Sequence, residues 1–278
     1  MFRNITTNYI QKERGTTVIE LLIVVVIVGI LTTAMARFFV QHNHLSHVEE
    51  QVGFMQKNLR SALEIIVRDV MNAGSGVPLG QGVDPFVPGD GISGSPDSLI
   101  INANFDYRFT TLFEDEGLDQ TIHVMDATGF YRGGLLYIED FNGGEFYTIT
   151  GISLDTPKED QITISQPLSR NYYMDDTIVS PIARVSYQLS WTDPDHPKLM
   201  RSLKGAGTKV LADNIEDLQF RFVLADGTET SQPADISQVR MVKIEMTSRT
   251  NKVDCEFGGD GYRRRTLESE VMPRNLNL

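Results

Sequence analysis

A single carboxylate lies within the apolar run that extends to Ala36. Glu20 follows Gly15 by five residues, and between Arg14 and Arg37 no other side chain is charged. A carboxylate inside a hydrocarbon layer costs about 2.5–3.5 kcal/mol on insertion scales, so such a residue normally serves a function and has a partner. The chemistry that this arrangement offers is ion pairing in an apolar surrounding. Opposite charges ~4 Å apart attract by ~4 kcal/mol at an effective dielectric constant of ~20.

Other side chains offer weaker candidates. His44 and His47 are three residues apart on a predicted helix and could share a metal, although we interpret them as solvated polar residues. Residues 193–196, Asp-Pro-Asp-His, could ligate a cation, but the prolines at 194 and 197 favour a turn between strands. Residues 89–94 match a phosphate-binding glycine pattern without the strand and helix that it requires. Since no P-loop, Gly-x-Ser-x-Gly or paired-cysteine zinc pattern occurs, we predict no enzymatic activity, cofactor or metal.

The composition is acidic, with a net charge of −12 at pH 7. Nucleic-acid binding through the phosphate backbone needs an excess of Lys and Arg, so no nucleic-acid partner is expected. The only cysteine, Cys255, cannot form an internal disulfide. We expect it to be buried and inert; the alternative is an intermolecular disulfide.

The elements that position Glu20 can be predicted from the apolar pattern. Residues 16–36 form an apolar segment of about the length that spans a bilayer, and the basic residues before it favour a cytoplasmic N-terminus. From 37 to 73 the apolar residues recur every three or four positions, which predicts an amphipathic continuation of the same helix. Its stripe consists of Val48, Val52, Met55, Leu59, Ala62, Ile66 and Val70. Glycines and a proline in residues 72–78 end the helix.

The remainder of the chain has the pattern of β structure. Short apolar runs bounded by turn residues predict strands at 98–101, 121–125, 135–139, 145–149, 161–165, 184–191, 199–203, 218–224, 239–246 and 264–271. Residues 141–144, Phe-Asn-Gly-Gly, predict a hairpin, and residues 213–218 predict a short turn. The expected fold class is α+β, with one long N-terminal helix packed on antiparallel sheets. We divide the head into a variable region, 74–183, and a C-terminal sheet region, 184–278.

The N-terminal motif resembles that of the type IV pilin and type II pseudopilin superfamily. This motif has a glycine at the cleavage site, glutamate at the fifth mature position and an unbroken apolar helix. The resemblance implies that a prepilin peptidase removes residues 1–15 by cutting between Gly15 and Thr16, and that Thr16 is then N-methylated. It also implies that Glu20 neutralises the amino terminus of a neighbouring subunit. A plain membrane anchor would have no use for Glu20, and a secretory signal would place its cleavage site after the apolar run.

Within the superfamily, the chain resembles the PilW family of minor pilins and, more distantly, the J-type minor pseudopilins of type II secretion. The segments that carry this likeness are 68–74, 214–220 and 262–276. Gly29 is the expected point of helix flexibility, and because no proline precedes Pro78, we expect a continuous helix and a minor rather than a major subunit. Residues 263–265, three arginines, are expected to lie on a strand edge and to pair with neighbouring subunits.

The resemblance also implies a function, a location and partners. It implies a minor pilin that primes and joins a type IV pilus, first in the bacterial inner membrane with a periplasmic head and then in the extracellular pilus. The implied partners are other minor and major pilins, the prepilin peptidase and the inner membrane. Two alternatives remain, a minor pseudopilin of a type II secretion system and a pilus-displayed adhesin that binds a ligand through residues 74–180.

Overall fold

A computed structural model of the protein describes residues 17–89, 98–154 and 159–276. Its fold is α+β, with one long N-terminal helix packed on antiparallel sheets, as the sequence predicts. The chain divides into two compact units, residues 1–50 and 51–278. Helix α1 covers Val18–Met71, and the strands are β1 (Phe86–Pro88), β2 (Ser98–Ala103), β3 (Thr110–Thr111), β4 (Thr121–Val124), β5 (Leu135–Asp140), β6 (Gly143–Ser153), β7 (Asp160–Ile164), β8 (Ile178–Ser190), β9 (Lys198–Leu203), β10 (Gly207–Asp213), β11 (Ile215–Leu224), β12 (Glu229–Thr230), β13 (Val239–Arg249) and β14 (Arg264–Val271).

Helix α1 begins and ends within two residues of its predicted bounds. Its C-terminal end follows the glycine signal in the sequence. The Ala73 N–H donates to the Val70 carbonyl at 3.2 Å, and Gly74 takes a φ of +79°, which a residue with a Cβ adopts only at a cost. The Gly74 N–H then donates to the Asn102 carbonyl in β2, which ties the end of the helix to the sheet.

The long strand β8 joins two parts of the larger sheet. Its C-terminal half pairs with β2 on one side and β9 on the other, and its N-terminal half pairs with β5 and briefly with β3. From β5 the sheet continues through β6 and β7 to β4. A separate four-stranded sheet has the order β12-β11-β13-β14. The strand pairs are all antiparallel among the described residues.

Two main hydrophobic cores fill the unit of residues 51–278. The first, which we call the helix core, contains Leu59 and Ile66 of α1 together with Tyr187, Phe220 and Phe222 from the strands, all fully buried. Each such apolar side chain contributes about 1.5–3 kcal/mol when removed from water. The stripe predicted from the sequence therefore faces the sheets over the second part of the helix.

A buried carboxylate on α1 connects the helix to two strands of the larger sheet. The Asp69 side chain of α1 is 3% exposed and accepts hydrogen bonds from the Tyr187 hydroxyl at 2.5 Å and from Nη2 of Arg201 at 2.8 Å. Burial raises the pKa of the Tyr187 phenol, so this hydroxyl donates as a neutral group. The three side chains come from α1, β8 and β9, and their bonds connect the helix to two strands.

The second core, the hairpin core, is built from the β5–β6 hairpin and its neighbours. It contains Leu136 and Ile138 of β5, Ile149 of β6 and Ile162 of β7. The predicted hairpin is confirmed, because Asp140 pairs with Gly143, whose φ of +113° suits glycine. An ion pair closes this end of the hairpin, since Nη1 of Arg170 lies 2.7 Å from Oδ2 of Asp140.

We expect the Asp140→Asn variant to be less stable at neutral pH, by about 2 kcal/mol for a charged hydrogen bond. Hydrogen bonding from Arg170 lowers the pKa of the Asp140 carboxyl below its usual value. A carboxyl with a depressed folded-state pKa stabilises the fold above its unfolded-state pKa, and this contribution is lost as pH falls through the folded-state value. We therefore expect urea denaturation of the full chain in detergent micelles to give a lower free energy of unfolding for the variant than for the wild type at pH 7. This difference should decrease below about pH 4.

The control for this experiment is Asp106→Asn, because Asp106 is exposed and has no hydrogen bond or ion pair with the residues that the structure describes. This variant should follow the wild type at both pH values. A pH-independent gap for Asp140→Asn would contradict the assignment of its stabilising effect to the carboxylate charge.

The ten predicted strands are present, but several details differ. The strand predicted at 184–191 begins at Ile178, and Pro181 within it hid this extension. Pro181 is tolerated because β5 pairs with one side of β8 there, whereas β3 on the other side reaches only Val179. The turn predicted at 213–218 is shorter, since Asn214 alone takes a φ of +58° and β11 begins at Ile215.

The expectation that Cys255 is buried is wrong. Cys255 lies in the loop between β13 and β14 and is exposed. The neighbouring Asp254 is buried instead, and its Oδ2 is 2.8 Å from Nη2 of Arg263. The Asp254 carboxylate is thus buried beside a partly exposed arginine, whereas the thiol next to it faces outward.

Arg263 directly precedes β14, which begins at Arg264 as predicted, and two of the three arginines are engaged within the chain. Arg263 pairs with Asp254, and Arg264 pairs with Glu216 and Asp260 at 2.5 Å. The expected pairing of these arginines with neighbouring subunits stays a prediction; Arg265 is exposed.

Candidate functional site

The Glu20 carboxylate lies in the first turn of α1. Thr17 precedes the helix, and its Oγ1 accepts a hydrogen bond from the Glu20 N–H at 3.4 Å, while its carbonyl accepts from Leu21 at 3.2 Å. This is the usual role of a threonine at a helix start. A negative charge in the first turn is also favoured by the helix dipole. The sequence thus fixes where the helix begins and leaves the carboxylate at its first exposed turn.

An apolar surface follows Glu20 along the helix. Every large hydrophobic side chain from Val18 to Leu31 is at least half exposed, with values from 50% at Ile27 to 79% at Val18. Apolar surface of this extent is a mark of contact with a membrane or with other proteins. By its length and composition α1 can cross a membrane, and none of its most apolar window is buried in the protein.

The polar groups within this apolar stretch are satisfied locally. The Thr32 hydroxyl donates to the Val28 carbonyl at 2.7 Å, and the Thr33 hydroxyl donates to the Gly29 carbonyl at 2.8 Å. Because these hydroxyls donate to carbonyls of their own helix, they need no hydrogen-bond acceptor in an apolar surrounding. The carboxylate of Glu20 is different, since it has no hydrogen-bond or ion-pair partner among the described residues.

Gly29 lies within an uninterrupted part of the helix. A Cβ built there would meet nothing within 4 Å, and α1 continues through it. Gly29 is nine residues from Glu20, which places the two on opposite faces at about 100° per residue. The structure therefore does not bring them together, and it leaves the proposed flexibility at Gly29 untested. Gly15 and Thr16, the predicted cleavage and methylation residues, lie outside the described residues.

The structure shows where two of the weaker candidate metal sites identified in the sequence lie. Nδ1 of His47 lies 3.8 Å from a carboxylate oxygen of Glu50, with both side chains exposed, and no third ligand group joins His44 and His47 in the described part of the chain. Residues 193–196 form the predicted turn between β8 and β9, closed by a 3.1 Å bond from the His196 N–H to the Asp193 carbonyl. Most of residues 89–94 lie outside the described ranges.

One group of side chains that could hold a metal ion was not predicted from the sequence. Glu114, Glu116 and His123 present ligand atoms that all lie within 4.8 Å of one another. The available signal was the Glu-x-Glu spacing, because alternate residues of an extended segment point to the same side. Nothing in the sequence indicated that His123, seven residues later, would face the same point.

Comparison with known proteins adds no relative. No family model matches the chain, and a search of curated proteins finds no match.

Proposed function

We propose that this protein is a minor pilin, similar to the PilW family, that co-assembles with other pilins to prime and join a type IV pilus. The observation that carries the proposal is the combination of an exposed apolar helical segment, a single carboxylate in its first turn and a folded β-rich unit that follows it in the chain. The role is structural and includes no catalytic step. The protein would be held in the bacterial inner membrane with its head in the periplasm before it enters the extracellular pilus.

The physical basis of assembly is an exchange of surroundings for the apolar part of α1. The side chains between Val18 and Leu31 are covered by lipid before assembly and by the helices of neighbouring subunits afterwards. Since lipid is as apolar as those helices, burial of apolar surface drives the exchange only weakly. Pairing of Glu20 with the amino terminus of a neighbour supplies direction, because two charges attract strongly only in the correct axial register.

A minor pseudopilin of a type II secretion system would use the same helix and the same carboxylate. The phenotype of a deletion strain separates the two machines. Loss of surface pili and of twitching motility supports the pilus, whereas retention of secreted enzymes in the periplasm supports the secretion system.

The first test of the proposal is the mass and N-terminal sequence of the protein from native membranes. We expect a chain that begins at methylated Thr16, because the motif places the peptidase cut after Gly15. A Gly15→Leu variant should keep its leader, and the matched Gly29→Leu variant should lose it. A wild-type chain that begins at Met1 would contradict the proposal, since Glu20 would then be an acid in an ordinary anchor.

A further inference from the structure

Two antiparallel segments bring three ligand groups together at the edge of the hairpin core. The Phe113 N–H donates to the His123 carbonyl at 2.8 Å, and the Met125 N–H donates to the Thr111 carbonyl at 3.0 Å, so residues 111–113 run beside β4. Glu116 then pairs with Tyr172 through backbone hydrogen bonds in both directions. This arrangement holds Glu114 and Glu116 against the imidazole of His123.

The distances between the ligand atoms fit a common metal. Nδ1 of His123 is 3.0 Å from Oε1 of Glu116 and 3.3 Å from Oε1 of Glu114. Zinc binds nitrogen and carboxylate oxygen at about 2.0–2.2 Å in tetrahedral sites, which places neighbouring ligand atoms roughly 3.3 Å apart. Both nitrogen–oxygen distances are therefore close to the separation that one shared cation requires, and the three ligand atoms lie within 4.8 Å of one another.

The hydrogen-bonding capacity of the imidazole does not satisfy both carboxylates. Nδ1 carries either one proton or one lone pair, yet two carboxylate oxygens face it. The Glu116 side chain is 4% exposed, and its Oε1 also accepts the His123 N–H at 2.5 Å. Its second oxygen has no donor among the described residues.

We propose that Glu114, Glu116 and His123 form a binding site for a divalent transition-metal cation, with Zn²⁺ the best fit. One imidazole nitrogen and two carboxylate oxygens suit Zn²⁺ better than Ca²⁺ or Mg²⁺, which prefer all-oxygen sites. Water would complete the coordination, since His123 and Glu114 are partly exposed. The bound cation would connect β4 to residues 114–116 and stabilise this edge of the hairpin core. The site is independent of the assembly role of α1.

Calorimetric titration of the full chain in detergent micelles, freed of metal by a chelator, tests the site. We expect ZnCl₂ to bind at one tight site per chain at pH 7, and CaCl₂ and MgCl₂ to bind far more weakly. His123→Gln and Glu114→Gln should each weaken zinc binding by at least ~100-fold, because loss of even an outer-shell partner costs about 10–100-fold. Glu116 is left unchanged because its carboxylate also accepts a backbone N–H.

The matched control is His47→Gln. His47 also faces a carboxylate, that of Glu50 at 3.8 Å, but no second acid joins them in the described chain. This variant should bind zinc as the wild type does. X-ray absorption at the zinc edge should show one nitrogen and a majority of oxygen ligands in the wild-type complex.

Two outcomes would overturn the proposal. If the wild type binds no zinc at micromolar concentrations, the three side chains form only a hydrogen-bonded cluster and no metal site. If zinc binds but His123→Gln retains the affinity while His47→Gln loses it, the metal site lies on the helix instead.

Discussion

Glu20→Gln is expected to leave membrane insertion unchanged and to lower entry into pili by at least ~10-fold. Glutamine has nearly the same shape but cannot pair as an ion with a neighbour's amino terminus. The full pair is worth ~4 kcal/mol at ~4 Å, and a loss of only 1.4 kcal/mol already corresponds to a tenfold change. The measurement is the amount of the protein in sheared pili relative to its amount in the membrane fraction.

The matched control for this prediction is Glu49→Gln. Glu49 lies on the same helix and is exposed, but it is outside the apolar stretch. It should enter pili at the wild-type level. Normal incorporation of the Glu20→Gln protein would show that the carboxylate has no role in assembly.

Asp69→Ala is expected to destabilise the fold by about 3–5 kcal/mol, the usual cost of removing one partner of a buried ion pair. The substitution removes the acceptor of the buried Tyr187 hydroxyl and the carboxylate partner of the half-buried Arg201 guanidinium, whose Nε keeps the Tyr187 oxygen at 3.1 Å. Chemical denaturation of the full chain in micelles, followed by the fluorescence of the single Trp191, measures this loss. For a fold of this size the midpoint of thermal unfolding should fall on the order of 10 °C.

Glu64→Ala is the control, because Glu64 lies on the exposed face of the same helix. Its free energy of unfolding should stay within about 0.5 kcal/mol of wild type. The double variant Asp69→Ala/Arg201→Ala should be more stable than the sum of the single losses predicts, since both partners are then gone. Additive losses would mean that Asp69 stabilises the helix without Arg201.

The periodic features of the structure could be predicted from the sequence. The apolar pattern and the glycine-rich ending fixed α1 to within two residues, and the Phe-Asn-Gly-Gly segment located the β5–β6 hairpin. Strand β10 was not predicted because its first four residues are exposed and show no alternation of apolar and polar side chains. An edge strand is held by hydrogen bonds to a single neighbouring strand, here β9. The local sequence pattern does not reveal this pairing.

The polar interior could not be predicted in this way. Asp69 is a charged residue between the apolar positions of the α1 stripe, yet it is buried because strands distant in sequence supply Tyr187 and Arg201. The cluster around His123 has the same origin, since its members meet through tertiary contacts. Glu20, in contrast, could be identified as a candidate site from the sequence, because the apolar residues that make it unusual are its neighbours along the chain.

The ion pairs of the head have a consequence for solutions of different ionic strength. Arg170, Arg201, Arg249, Arg263 and Arg264 are each paired with an acid of the same chain, while the whole chain keeps a charge of −12. The unbalanced charge at the surface is therefore negative, and two copies that approach each other repel. This repulsion reaches about 30 Å in 0.01 M salt but only ~8 Å at 0.15 M. At low ionic strength the head therefore associates with cationic proteins more readily than with its own copies. Added salt screens the charges and reduces this preference.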